Sequence, residues 1–123
     1  MHVLVVEDNP INQMMATRIL HCLGHTGVVV GDGAQSLRCS EQVKFDLVLM
    51  DVMMPNMDGL EALAALRERE QSRGCPRLPV FMTTSHDLPG DRERLLLAGA
   101  DGYVAKPISV QALQSEIKRV LWA

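Results

Sequence analysis

The sequence predicts a doubly wound α/β domain in which five parallel strands are covered by helices on both faces. Three observations predict it: five short apolar runs, five segments of helical period, and regular alternation between the two along the chain. Parallel strands need crossover connections, and those connections are right-handed, so the helices must lie on both faces of the sheet.

The first strand is "HVLVV", His2 to Val6, and a helix follows in which Asn9 can cap and Pro10 takes the first helical position. Ile11, Met15, Ile19 and Leu23 recur on one face of that helix, and Gly24 supplies the stop. "TGVVV", Thr26 to Val30, is the second strand, and a weaker helix runs from about Ala34 to Val43. The third strand, Asp46 to Met50, is apolar enough to be buried on both faces. Asp58, with Glu61 three residues later, resembles a capping box ahead of "LEALAALRERE", which stops at Gly74 and Pro76. Pro79 to Thr83 is the fourth strand, Asp91 to Ala98 a short helix closed by Gly99, and Gly102 to Ala105 the fifth strand. Ser109 caps a last helix in which Val110, Leu113, Ile117, Val120 and Leu121 keep a helical period.

A chain of 123 residues, 47% hydrophobic and without a compositional break, fits one domain over residues 1–123, and no output domain is expected within it. Net charge is -3, with eight acids against three bases in residues 1–61 and seven against nine afterwards, which makes direct nucleic-acid binding a poor expectation. The leading apolar run is too short for a signal peptide and no stretch could span a bilayer, so a cytoplasmic domain without membrane contact is expected. Cys22, Cys39 and Cys75 are odd in number and lack a CxxC pattern; they read as reduced, partly buried thiols.

Ligands of open α/β sheets sit beyond the carboxyl ends of the strands. There the chain places Glu7 and Asp8, Asp51, Thr84 with Ser85, and Lys106. If the first and third strands are neighbours, three carboxylates share one crevice and repel one another unless a cation stands among them. Magnesium fits, because it takes oxygen ligands from one or two carboxylates and retains exchangeable waters; Glu7 can act through such a water. A carboxylate can itself be the nucleophile of phosphoryl transfer, and Asp51, alone at the centre of the sheet, is the best candidate. Transfer needs chiefly neutralisation of the phosphoryl oxygens, for which Lys106 and the Thr84 hydroxyl are available beside the metal.

"LVVEDNPIN", "DLVLMDVMMPNMDGLE", "LPVFMTTS" and "GADGYVAKPI" together, in this order and across nearly the whole chain, resemble the receiver domain of two-component response regulators. The resemblance implies a flavodoxin-like (βα)5 fold with strand order 2-1-3-4-5. It implies that Asp51 is the phosphoacceptor, served by a histidine kinase or a histidine-containing phosphotransfer domain. Glu7, Asp8, Asp51 and the backbone carbonyl of Met53 would place Mg²⁺ or Mn²⁺, and Lys106, before a cis Pro107, would bind the phosphoryl group. Thr84 would move toward the phosphate and Tyr103 rotate inward, changing the face made by the fourth helix, fifth strand and fifth helix, on which a phosphorylation-linked homodimer could form. Glu7 stands where aspartate is frequent, Ser85 where alanine is usual and Ile108 where phenylalanine is frequent, while Met53 and His86 occupy positions associated in this family with the lifetime of the phosphorylated state. "EDNPINQ" is more similar to receivers attached to hybrid kinases, which would put the domain on the cytoplasmic side of a membrane-bound protein.

Plainer readings stand beside these. Glu7 and Asp8 alone would be a solvated loop favoured by the helix dipole, Lys106 alone a surface charge, and Tyr103 a static amphipathic residue. Thr83 is expected to be structural. His21 and His25 read as surface histidines, "GDGAQS" as a turn, and "RERE", Arg67 to Glu70, as a solvated helix face. Met14, Met15, Met50 and Met82 read as core filler, whereas Met54 and Met57 could meet a partner. The competing function is a Mg²⁺-dependent Asp-nucleophile phosphohydrolase, but the chain has Val52-Met53 after Asp51 rather than a second acid and no segment long enough for a cap. A metal-binding scaffold that is never phosphorylated would need Lys106 or Thr84 to be misplaced.

Overall fold

In the computed structural model, which describes residues 1–54, 56–85 and 89–122, strands and helices alternate from end to end. The strands are β1 (His2–Val6), β2 (Thr26–Val30), β3 (Leu47–Asp51), β4 (Val80–Thr84) and β5 (Gly102–Ala105). The helices are α1 (Pro10–Cys22), α2 (Gly33–Gln42), α3 (Gly59–Arg73), α4 (Asp91–Leu97) and α5 (Val110–Leu121). All neighbours are parallel and the order is β2-β1-β3-β4-β5, the expected one.

Period-two alternation divides the apolar strand residues between two cores. Val3, Val5, Leu47, Leu49, Phe81 and Val104 pack beneath α1 and α5, against Leu20, Leu113 and Ile117. Leu4, Val6, Val48, Met50, Val80 and Met82 pack beneath α2, α3 and α4, against Leu63, Leu66 and Leu95. Each fully buried leucine contributes about 1.5–3 kcal/mol. The central β3 is buried along its whole length, and β2, at the sheet edge, keeps Val29 exposed.

Helix starts follow the sequence. Asn9 accepts from the Ile11 and Asn12 N–H groups, Asp32 from Gln35, Asp58 from Glu61 and Ser109 from Ala112, which satisfies donors that the first turn leaves unpaired. Strands β3 and β4 each begin and end one residue later than predicted, so Asp51 and Thr84 close their strands instead of following them. The reason is pairing: Asp51 stands opposite Thr83, and Thr84 opposite Ala105.

Four readings need correction. Met14 is exposed, because the buried stripe of α1 runs through Ala16, Ile19 and Leu20, one position round from the predicted face, and Ile11 lies outside it too. His25 is buried, with its Nδ1 2.9 Å from the Met1 nitrogen. Cys22 and Cys75 are exposed, and only Cys39 is partly buried. The largest departure is "RERE", where Arg67, Arg69 and Glu70 turn into the protein. Arg67 donates to the carbonyls of Leu78 and Gly99 and to Glu70 and Asp101. Arg69 bonds the Leu37 carbonyl and Ser40 on α2.

Candidate functional site

β1 delivers Glu7 to the carboxyl edge of the sheet. Its N–H continues the ladder to the Val30 carbonyl at 3.1 Å, and its own carbonyl accepts from Gln13 Nε2 at 2.6 Å. The chain thereby turns into α1 with the Glu7 side chain folded inward, 5% exposed, and Asp8 left exposed beside it. β3 delivers Asp51, 6% exposed, whose Oδ1 accepts from the Met53 N–H at 3.3 Å. Gly59, at the start of α3, lies so close that a Cβ there would fall on the Asp51 carbonyl oxygen. Only glycine lets α3 begin against the acid.

β5 delivers Lys106. Its N–H donates to the Thr84 carbonyl at 2.7 Å, and the peptide to Pro107 is cis, as expected. Lys106 Nζ reaches Glu7 Oε1 at 2.6 Å and Asp51 Oδ2 at 3.0 Å. Burial acts to lower the ammonium pKa, but the hydrogen bonds and charges of Glu7 and Asp51 outweigh it and hold Lys106 above its ordinary value. It stays protonated.

Carboxylate oxygens of Glu7, Asp8 and Asp51 lie within 4.8 Å of one another. One ammonium cannot balance three such acids, and an all-oxygen set with one exposed member, open to water, suits a hard divalent cation such as Mg²⁺. The residues fit that ion. Met53, whose carbonyl the resemblance to receivers directs to the same ion, is exposed and joined to Asp51 through its N–H.

Of the two expected switch residues, Thr84 closes β4 one residue past the register partner of Asp51, and Tyr103 lies within β5. Asp51 follows Leu49 by two and belongs to the α1 and α5 side of the sheet. Thr84 follows Met82 by two on the other side. Tyr103 pairs with Met82 in register and packs, half-buried, with that same second core. Thr83, opposite Asp51, shares the face of the acid. Ser85 is exposed, and His86 and Pro55 lie outside the described residues. Sequence reading missed Gln13, which braces the Glu7 carbonyl, and the Asn9 N–H, 3.3 Å from Glu7 Oε2. The only available signal was a polar residue one turn into α1. A cavity of 740 Å³ beside Phe45, Leu66 and Pro76, at the opposite end of the sheet, shares none of these groups.

A five-stranded doubly wound sheet whose carboxyl edge gathers three acids and a lysine carries its charged site where open α/β sheets bind ligands. Residues 3–118 match the family model described as the response regulator receiver domain, and the chain belongs to that family. It is 40% identical over 111 residues to the sensor protein GacS of Pseudomonas syringae, covering 90% of this chain and 12% of that protein. It is 35% identical to the probable transcriptional regulatory protein TcrX of Mycobacterium tuberculosis, covering 97% of this chain and 49% of that one. The chain thus spans a small part of several relatives. Among solved structures it is similar to the receiver domain of the sensor histidine kinase PA1611 of Pseudomonas aeruginosa, with magnesium coordinated in its active-site cleft. That match has TM-score 0.84 and 38% identity, and covers 99% of this chain and 98% of the other. It is also similar to the receiver of Saccharomyces cerevisiae Ssk1, solved with the histidine phosphotransfer protein Ypd1. Here the TM-score is 0.88 and the identity 25%, over 98% of this chain and 88% of the other. The chain is a receiver domain of phosphorelay systems, a signalling switch. No helix among the described residues is long and apolar enough to cross a membrane.

Proposed function

We propose that Asp51 accepts a phosphoryl group from a phosphohistidine on a histidine kinase or histidine-containing phosphotransfer domain, and that the resulting acyl phosphate changes the α4–β5–α5 face. The observation that carries this reading is the contact of one half-buried lysine with Asp51 and Glu7 while Asp8 completes an acid cluster beside them. The Asp51 carboxylate oxygen forms the new O–P bond as the P–N bond of the donor breaks, and the released imidazole nitrogen takes a proton from water. Glu7, Asp8, Asp51 and the Met53 carbonyl would hold Mg²⁺, or Mn²⁺ in its place. The bound ion supplies positive charge to the phosphoryl oxygens.

Lys106 is already protonated and close enough to Asp51 to exchange its carboxylate contact for a phosphoryl oxygen. Thr84, one residue past the partner of Asp51, is the hydroxyl proposed to follow that group, with Tyr103 as its neighbour on the same side of the sheet. The Ypd1 complex of a similar receiver supports a histidine phosphotransfer partner. We place the domain in the cytoplasm, as a stand-alone regulator or as part of a hybrid kinase.

Intact-protein mass spectrometry after incubation with acetyl phosphate tests the reading. One phosphate adduct that needs Mg²⁺ and is absent in Asp51→Asn is the expected result. Steady release of free phosphate without an adduct would instead mean a phosphohydrolase, and an adduct retained in Asp51→Asn would move the nucleophile elsewhere.

A further inference from the structure

Outside the acid crevice, one buried carboxylate joins α4, β5 and α5. Glu116 of α5 is 6% exposed and receives hydrogen bonds from three directions. Arg92 Nη2 of α4 lies 3.0 and 2.9 Å from its two oxygens. The backbone N–H of Tyr103 on β5 donates to Oε2 at 2.6 Å. Arg119, one turn along α5, donates from Nε and Nη2 at 2.9 and 3.0 Å.

The surrounding residues are fitted to this carboxylate. A Cβ on Gly102 would come within 2.6 Å of Phe81 and 3.0 Å of Glu116 Oε2, so the oxygen occupies the space a side chain would take. The Tyr103 N–H belongs to β5, the last strand of the sheet among the described residues, and Glu116 supplies its acceptor. Helix α4 is only seven residues long, lacks a side-chain N-cap bond and leaves Leu96 and Leu97 exposed. So short a helix holds its place through tertiary anchors. Leu95 anchors it in the core and Arg92 anchors it to Glu116.

We infer that Glu116 is a positioning residue of the switch: by joining Arg92 of α4 to the Tyr103 backbone of β5, it holds the α4–β5–α5 face in the arrangement described and sets how readily the face leaves it. The inference rests on the receiver reading. If phosphorylation favours a second arrangement of this face, a tie present only in the first lowers the population of the second and slows phosphorylation by the same factor.

Arg92→Met removes one arm from a partly exposed site, and Glu116→Gln keeps the acceptor for Tyr103 while removing the charge. Both should gain the acetyl phosphate adduct on Asp51 about fivefold faster than the parent, as loss of a modest tie predicts. Mg²⁺ affinity by calorimetry should be unchanged, and amide exchange of α4 should be faster. Arg92→Lys, which restores a cation, should bring both rates back toward the parent. If the parent forms no adduct, the receiver reading itself fails. If the parent is phosphorylated but Arg92→Met matches it in adduct rate and α4 exchange, or if Arg92→Lys behaves as Arg92→Met does, the assignment of Glu116 is overturned. Should Glu116→Gln not fold, the Arg92 pair decides alone.

Discussion

At the carboxyl edge of the sheet Lys106 shares a crevice with Glu7, Asp8 and Asp51, and at the amino edge Arg67 and Arg77 stand among Glu70 and Asp101. Each cluster combines buried carboxylate with one exposed charge, Arg77 at the amino edge and Asp8 at the carboxyl edge, and they differ in balance. The amino-edge cluster has two cations for two anions, and its remaining capacity is spent on backbone: Glu70 accepts from the Leu78 N–H, Asp101 from the Val80 N–H, and Arg67 donates to two carbonyls. Among the described residues, the carboxyl-edge cluster has one cation for three anions, and one of its acids faces water. A closed, neutral network fixes structure, whereas an open, anionic one can recruit a cation and exchange partners.

On the scale of folding stability, the largest effect that would break this contrast is at Arg67. Arg67→Met should cost about 3 kcal/mol, the low end for removing one partner of a buried pair, because Arg77 remains on Asp101. Urea unfolding should show this while the folded fraction still takes phosphate on Asp51 at the parent rate. Unchanged stability would mean that the amino-edge network is as dispensable as surface charge.

These two clusters were not equally legible. Glu7, Asp8, Asp51 and Lys106 follow or close apolar strands, so strand order alone brings them together. Arg67 sits in "RERE", whose alternating signs look solvated; its acid partner Asp101 is distant in sequence, and two of its acceptors are backbone carbonyls that no residue type announces. Met14 failed for a smaller reason, the drift of a 3.6-residue period against the face chosen. Thr84 and Tyr103 were nameable, but their shared side of the sheet needed the register of β4 and β5.

Asp8 sharpens the contrast from the other side. Asp8→Ala should leave metal-free stability equal to or above that of the parent, since it removes one of three mutually repelling acids. It should also abolish the stabilisation by Mg²⁺, which is about 2.7 kcal/mol at a hundredfold excess over the dissociation constant. Thermal melts with and without Mg²⁺ check this. An undiminished Mg²⁺ shift would place the ion elsewhere.

Lys106→Met should come next, destabilising the metal-free protein by about 2 kcal/mol because Glu7 and Asp51 are left buried without the cation they share. Mg²⁺ should recover much of that loss, and phosphate uptake should slow. A loss that Mg²⁺ does not touch would make Lys106 a closed structural partner, like Arg67.

The smallest effect lies at Glu116, whose cluster falls between the two extremes. Its carboxylate is buried, but its cations are not, since the Arg92 and Arg119 side chains are 38% and 51% exposed and solvent weakens their hold. Burial acts to raise the Glu116 pKa, and the hydrogen bonds from Arg119, the Tyr103 N–H and Arg92 overcome it, so the folded value lies below the ordinary 4.5. The unfolded chain then binds the proton more readily than the folded one. Glu116 therefore contributes stability that is fully present above pH 4.5, declines as the pH falls through the unfolded and then the folded value, and is absent below both. Glu116→Gln cannot titrate, so its stability deficit relative to the parent should be constant above pH 5 and shrink steadily toward pH 3. A deficit that stayed constant across that acid range would mean that the carboxylate acts by shape and not by charge, which would align it with the apolar core instead of with either cluster.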